Sequence, residues 1–268
     1  MRKHVLRILA VVLCLCLIGG IIVSVEYFTR EPVIIGIIDT GISSKAIPAD
    51  HILEGKNYLD PEKTTEDTYG HGTAVAYVIL KHLPQAKFVP LVSNAYDSGK
   101  IKQVDNEVFA QMIRDAVDVY DCQIINISVG LILDKPAIRE AVAYAEEQGV
   151  LVVASAGNDY ATDGDFRYYP AGYDTVFAVG SVNKERNAIS EFSQRGEWVD
   201  IYACGEEVEI ATLSGDKKEG EGTSYSAAYV TARAARLLQK DSTLTPAGIR
   251  KRLLRESEEL EKGIMMIK

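Results

Sequence analysis

A mostly parallel α/β sheet, doubly wound with helices on both faces, is the fold class that the sequence predicts for most of the chain. Three observations predict it. From Val33 to the C-terminus, short apolar runs alternate with longer segments of helical period. The runs are apolar at consecutive positions, as strands buried on both faces are. Several of them end in polar residues, at the strand ends where such sheets keep their ligands.

The elements follow in order. VIIGIID, from Val33, reads as a strand, HGTAVAYVILKHL as a helix and AKFVPLV as a strand. VDNEVFAQMIRDAVDVY is an amphipathic helix with Val104, Val108, Met112, Ile113 and Val117 on its apolar side. QIINISV is the next strand. KPAIREAVAYAEEQG is a helix that Pro136 starts and Gly149 stops, and VLVVASAG is a further strand. TVFAVGSV and WVDIYA complete the strands. A long helix opens near Gly222, and Thr245 before Pro246 caps a last one in TPAGIRKRLLRES. No repeat, low-complexity tract or internal linker divides this region, so residues 31–268 read as one domain.

The first 30 residues differ. Ile8 to Val25 carries no charge over eighteen residues; at 1.5 Å per residue these span about 27 Å, close to the ~30 Å hydrocarbon core of a bilayer. A cleaved signal peptide is the rival reading, but no small-x-small cleavage site ends the run. Arg2, Lys3 and Arg7 precede the span, whereas Arg30 stands between Glu26 and Glu31 after it. The positive-inside rule therefore puts the N-terminus in the cytoplasm and the rest of the chain outside, with membrane lipid as a partner of residues 1–30. Cys14 and Cys16 follow leucines, which does not make a lipidation box. Cys122 and Cys204 read better as buried small hydrophobes than as a disulfide. The formal net charge of the 268-residue chain is -9 and no basic stripe interrupts the acidic excess, which argues against nucleic acid as a partner.

The first strand ends in Asp39-Thr40-Gly41. That tripeptide fits the paired aspartates of an aspartic protease, a strand-end aspartate of a phosphate-handling fold, or the orienting aspartate of a serine protease. The strand-helix alternation excludes the first, whose fold is essentially all β. Two more stretches bear on the choice, DTYGHGTAVA at Asp67 to Ala76 and GEGTSYSAA at Gly220 to Ala228. A serine hydroxyl needs a base, and a histidine between glycines at a helix start can approach another backbone closely. His71 has that setting, whereas His4, His51 and His82 do not.

With IIDTGI, GHGTAVA, INISVG, ASAGN and GTSYSAA in this order, the chain resembles the subtilisin-like serine proteases (peptidase S8, the subtilases) over essentially everything after Pro32. The resemblance implies a serine endopeptidase with Ser224 as nucleophile, His71 as general base and acid, and Asp39 orienting it. Asn158 would supply an oxyanion donor beside the helix start at Ser224. Ser128, Val129 and Gly130 would pair with an extended peptide or protein substrate. Ser155, Ala156 and Gly157 would form the opposite wall of the primary specificity pocket, and the loop Ala95 to Lys100 would face Ser128 to Gly130 across the cleft. No cofactor is implied.

Departures from the family pattern carry further expectations. Ala74 and Ala228 stand where a second histidine and a proline are usual. Tyr168 stands where many members have a small residue at the back of the specificity pocket, which predicts a shallow pocket for small or medium side chains. The helix that starts at His71 is joined to the strand at Ala86 by few residues, too few for the calcium-binding loop of many members, so no metal is expected there. Only Glu26 to Pro32 separate the apolar span from the first strand, where many secreted members carry a folding propeptide; unaided folding is expected. A silent peptide-binding module, and an esterase or transpeptidase using the same acyl-enzyme, remain the alternatives.

Overall fold

The order in which strands pair places the functional residues before any side chain is considered. The computed structural model describes residues 31–97, 99–160, 166–261 and 263–268, and Val33–Lys268 forms one compact unit. The predicted membrane anchor lies outside the described residues, among which no helix is long and apolar enough to cross a membrane.

In chain order the elements are β1 (Ile34–Asp39), β2 (Lys56–Asn57), α1 (His71–His82), β3 (Lys87–Val92), β4 (Asn94–Asp97), β5 (Lys100–Gln103), α2 (Asn106–Asp118), β6 (Ile124–Ile127) and α3 (Pro136–Glu147). There follow β7 (Leu151–Ser155), β8 (Val176–Val182), β9 (Ile201–Cys204), β10 (Val208–Ala211), β11 (Lys217–Gly220), α4 (Thr223–Lys240), α5 (Pro246–Glu256), β12 (Glu258–Glu261) and β13 (Ile264–Met266). Among the described residues nine strands form one sheet, in the order β12-β13-β9-β8-β7-β6-β1-β3-β2. All neighbours are parallel except the terminal β12-β13 pair. The chain goes from β1 to β3 on one side, then crosses to β6 on the other. The crevice of such a sheet opens where the direction of winding reverses, which here is the carboxyl end of β1.

Both faces of the central strands are buried in alternation. Ile35 and Ile37 of β1, with Leu151 and Val153 of β7, pack under α1, α4 and α5. Ile38, Ile125, Ile127, Val152 and Ala154 pack under α2 and α3. This explains why the strands read as continuous apolar runs. The helix ends follow local chemistry. Asp105 Oδ1 accepts from Val108 N at 2.8 Å to cap α2, Pro136 opens α3, and Thr245 Oγ1 accepts from Gly248 N at 3.2 Å to cap α5. Gly149, at φ 82°, turns the chain out of α3.

Three hairpins depart from the sequence reading. The predicted cleft loop at 95–100 belongs to the β4-β5 hairpin, β10-β11 is a second, and the C-terminal β12-β13 pair extends the sheet. An Asp-Ser-Gly tripeptide, the other motif of a paired-aspartate enzyme, begins at the last residue of β4, outside the nine-stranded sheet. Between α1 and β3 the chain makes a short turn, with Ala86 N donating to Leu83 O at 3.0 Å and both residues buried. Cys122 and Cys204 are unpaired thiols. Cys122 precedes β6 and Cys204 ends β9, three strands away, or about 14 Å at ~4.8 Å per strand. A disulfide needs Cα atoms within about 7 Å.

Candidate active site

Asp39 is the last residue of β1 and has no solvent exposure. Both of its carboxylate oxygens accept from His71 Nδ1, at 2.8 and 2.9 Å, and Oδ1 also accepts from Thr40 N at 2.8 Å. A carboxylate cannot donate, so the proton of the neutral imidazole lies on Nδ1 and Nε2 keeps its lone pair. Burial opposes the imidazolium. The charge and hydrogen bond of Asp39, with the nearby charge of Asp67, outweigh it and raise the His71 pKa above its ordinary value.

The start of α1 is bolted to the end of β1. Gly72 N donates to Thr40 Oγ1 at 2.9 Å. A methyl group at Gly72 would fall 2.3 Å from Gly41 O and 3.1 Å from Asp39 Cβ, so only glycine permits this approach. Gly70, the residue before the helix, has φ 105° and cannot cap it with a side chain. Asp67 does so from further back. Its Oδ1 accepts from Tyr69 N and Gly70 N at 2.8 Å each, and its Oδ2 from Thr73 N at 3.0 Å and Thr73 Oγ1 at 2.7 Å. Thr73 Oγ1 in turn accepts from Ser43 N at 2.9 Å. Thr40, Asp67 and Thr73 had no role in the sequence reading. Their only signal there is a polar residue of the right size close to Asp39 or His71.

Ser224 is the second residue of α4 and is 6 % exposed. The helix start is held by Asn158, whose Oδ1 accepts from Thr223 N at 2.9 Å and from Thr223 Oγ1 at 2.8 Å. A backbone N–H only donates, so the atom facing it is the amide oxygen and Nδ2 remains to donate. Tyr225, the next residue of α4, has its ring centroid 6.3 Å from that of His71. Burial, with the charges of Asp39 and Tyr69, pushes its phenol up to about 12. The two rings line a cavity of about 550 Å³ together with Tyr69, Ala74, Leu213 and Lys218.

The predicted substrate walls follow β6 and β7. Ser128 turns its hydroxyl inward to Asn126 Oδ1 at 3.0 Å, and Asn126 Nδ2 reaches Thr231 Oγ1 of α4 at 2.9 Å, which ties this wall to the Ser224 helix. Val129 and Gly130 continue from it. On the other wall Ser155 ends β7, Ala156 is wholly buried with its N–H committed to Val179 O at 2.9 Å, and Gly157 turns at φ 112°. Tyr168 touches both. A methyl at Gly130 would lie 3.2 Å from Tyr168 Cδ1, and one at Gly157 would lie 2.6 Å from Cδ2 and 3.0 Å from Cε2.

The chain has relatives among known proteins. The family model described as "Subtilase family" matches residues 30–265. The chain is 35 % identical over 223 residues to the major intracellular serine protease of Bacillus subtilis, covering 75 % of this chain and 66 % of that one, just under two thirds of its length. It is 31 % identical to subtilisin DY of Bacillus licheniformis, covering 86 % and 85 %. Among solved structures, a cold-adapted subtilisin-like serine proteinase superposes with a TM-score of 0.74 at 26 % identity, covering 85 % of this chain and 82 % of that one. An aspartate-histidine pair at the winding reversal of a parallel sheet, a serine at a helix start and a family match over nearly all the described residues lead to one conclusion: the chain belongs to the subtilase family of serine proteases.

Proposed function

We propose that this protein is a serine endopeptidase that hydrolyses peptide bonds through an acyl-enzyme on Ser224. The observation that carries the proposal is the hold of Asp39 on His71 Nδ1, which leaves the Nε2 lone pair as the base. Ser224 Oγ attacks the peptide carbonyl carbon and its proton passes to His71 Nε2. The carbonyl oxygen becomes an oxyanion, for which Asn158 Nδ2 and the Ser224 N–H at the start of α4 are the donors. Collapse breaks the C–N bond, and the leaving amine takes the proton from His71. Water then repeats the sequence on the ester, with His71 as base and Ser224 as leaving group. Asp39 stabilises the imidazolium.

The same proposal places the domain on the outer side of a membrane, anchored by residues 1–30 and acting on exported peptides or proteins. The uncharged run Ile8 to Val25 and the arginines and lysine before it support this.

A fluorophosphonate probe applied to the full-length chain and to its Ser224→Ala variant tests the chemistry. Labelling of the wild type alone is expected. A folded wild-type chain that takes no label would instead favour a peptide-binding module without catalysis. A membrane-impermeant form of the probe, applied to intact cells, tests the placement: labelling only after lysis would refute it.

A further inference from the structure

We infer that Tyr168 closes the primary specificity pocket, so that the substrate residue on the acyl side of the cleaved bond is glycine or alanine. The inference rests on the serine-endopeptidase reading and narrows it to a substrate class. One edge of the Tyr168 ring, at Cδ1, meets the wall at Gly130, and the other, at Cδ2 and Cε2, meets the wall at Gly157. The ring thus spans the gap between the two segments that would flank a substrate side chain. Gly157 must be glycine where the ring touches it, because a methyl there would fall 2.6 Å from Cδ2, and a methyl at Gly130, 3.2 Å from Cδ1, would push the ring by a few tenths of an ångström.

The plug is fixed rather than loosely draped. Tyr168 Oη donates to Asp159 Oδ2 at 2.8 Å, and the Phe166 ring lies 5.3 Å from the Tyr168 ring. Tyr169, the next residue, exchanges two backbone hydrogen bonds with Leu131, at 2.7 and 2.9 Å, which ties this segment to the Ser128–Leu131 wall. The Gly157 wall is tied down as well: Gln194 is wholly buried and its N–H donates to Gly157 O at 3.0 Å. A substrate side chain larger than methyl would have to expel the ring and break the Asp159 bond.

The test uses the full-length chain in detergent and a peptide series differing only at the acyl-side residue: Gly, Ala, Leu or Phe. Active Ser224 is first titrated with the fluorophosphonate probe. Expected is a kcat/KM for Gly and Ala at least about 10-fold above that for Leu and Phe, the scale on which pocket size discriminates. Tyr168→Gly should raise the Leu and Phe values by about 10-fold without a matching rise for Ala. Tyr168→Phe, which keeps the ring and loses only the hydroxyl, should keep the wild-type preference. A labelled wild type that cleaves the Phe peptide as fast as the Ala peptide overturns the inference while the endopeptidase reading stands, whether or not Tyr168→Gly folds. A labelled Tyr168→Gly with unchanged ratios also overturns it. A wild type that takes no label overturns both.

Discussion

Asp39 grips His71 Nδ1 with both carboxylate oxygens, at 2.8 and 2.9 Å, from a position without solvent exposure, while the His71 side chain keeps 26 % of its own. The imidazolium is thereby favoured and the His71 pKa stands above 6.5 despite burial. Catalysis needs the neutral ring, so kcat/KM should rise with pH along a limb centred above 6.5. Stability runs the other way. The contribution of the Asp39–His71 pair is complete below 6.5 and is lost as pH rises through the raised value. In a Ser224→Ala background, the melting-temperature advantage of His71 over His71→Ala should shrink across the window in which activity appears. A limb at or below 6.5 would contradict the assignment.

Asp39→Asn keeps the shape but removes the charge. Burial then acts with less opposition, so the limb should move down, and kcat should fall by about 10⁴, the cost of the equivalent change in other Ser-His-Asp enzymes, carried over as a scale. Steady-state kinetics against pH would show both effects. A variant within tenfold of wild type would mean that Asp39 does not set the tautomer.

Asp67 makes a separable prediction because it touches the backbone around His71 and not the ring. Asp67→Ala strips the acceptor from three N–H groups and the Thr73 hydroxyl. A loss of about 2 kcal/mol or more is expected, or roughly 4–8 °C in melting temperature for a domain of this size. Its charge also helps to raise the His71 pKa, so the acid limb should move to lower pH. Unchanged melting would show that the capping is redundant; an unchanged limb would show that its charge is screened from His71.

The sequence carried the central sheet well, and the reason is physical. Strands buried on both faces must be apolar along their length up to the carboxyl end, as in IIGII before Asp39 and LVVA before Ser155. The hairpins were opaque for the opposite reason. Lys100–Gln103 and Lys217–Gly220 are largely solvated, and Glu258–Glu261 is an edge strand whose glutamates discourage further pairing, so none has an apolar signature. At the site, Asp39, His71, Asn158 and Ser224 stood out because their motifs are distinctive. Thr40 and Asp67 did not, since a small polar residue in a turn looks the same whether or not a helix start later docks on it. Tyr168 was visible as a departure from the family pattern. That its ring reaches both Gly130 and Gly157 follows only from the course of the chain in three dimensions, which brings three segments distant in sequence together.

Asn158 closes the set, and the proposed mechanism uses its two ends separately. Oδ1 holds Thr223 at the start of α4, and Nδ2 is left to donate. Asn158→Ala removes both, so it should lower kcat by about 10²–10³, the cost of losing the equivalent donor in a subtilisin, with little change in KM. It also leaves Thr223 N and Oγ1 without that acceptor, so melting should fall as well. Asn158→Asp separates the two jobs. A carboxylate still accepts from Thr223 but cannot donate, and it sets a negative charge beside the developing oxyanion. Its melting temperature should therefore stay near that of wild type while kcat falls at least as far as in Asn158→Ala. If Asn158→Asp instead kept most of the wild-type kcat, the oxyanion would have to be held by the Ser224 N–H alone, and Asn158 would be a positioning residue for Ser224.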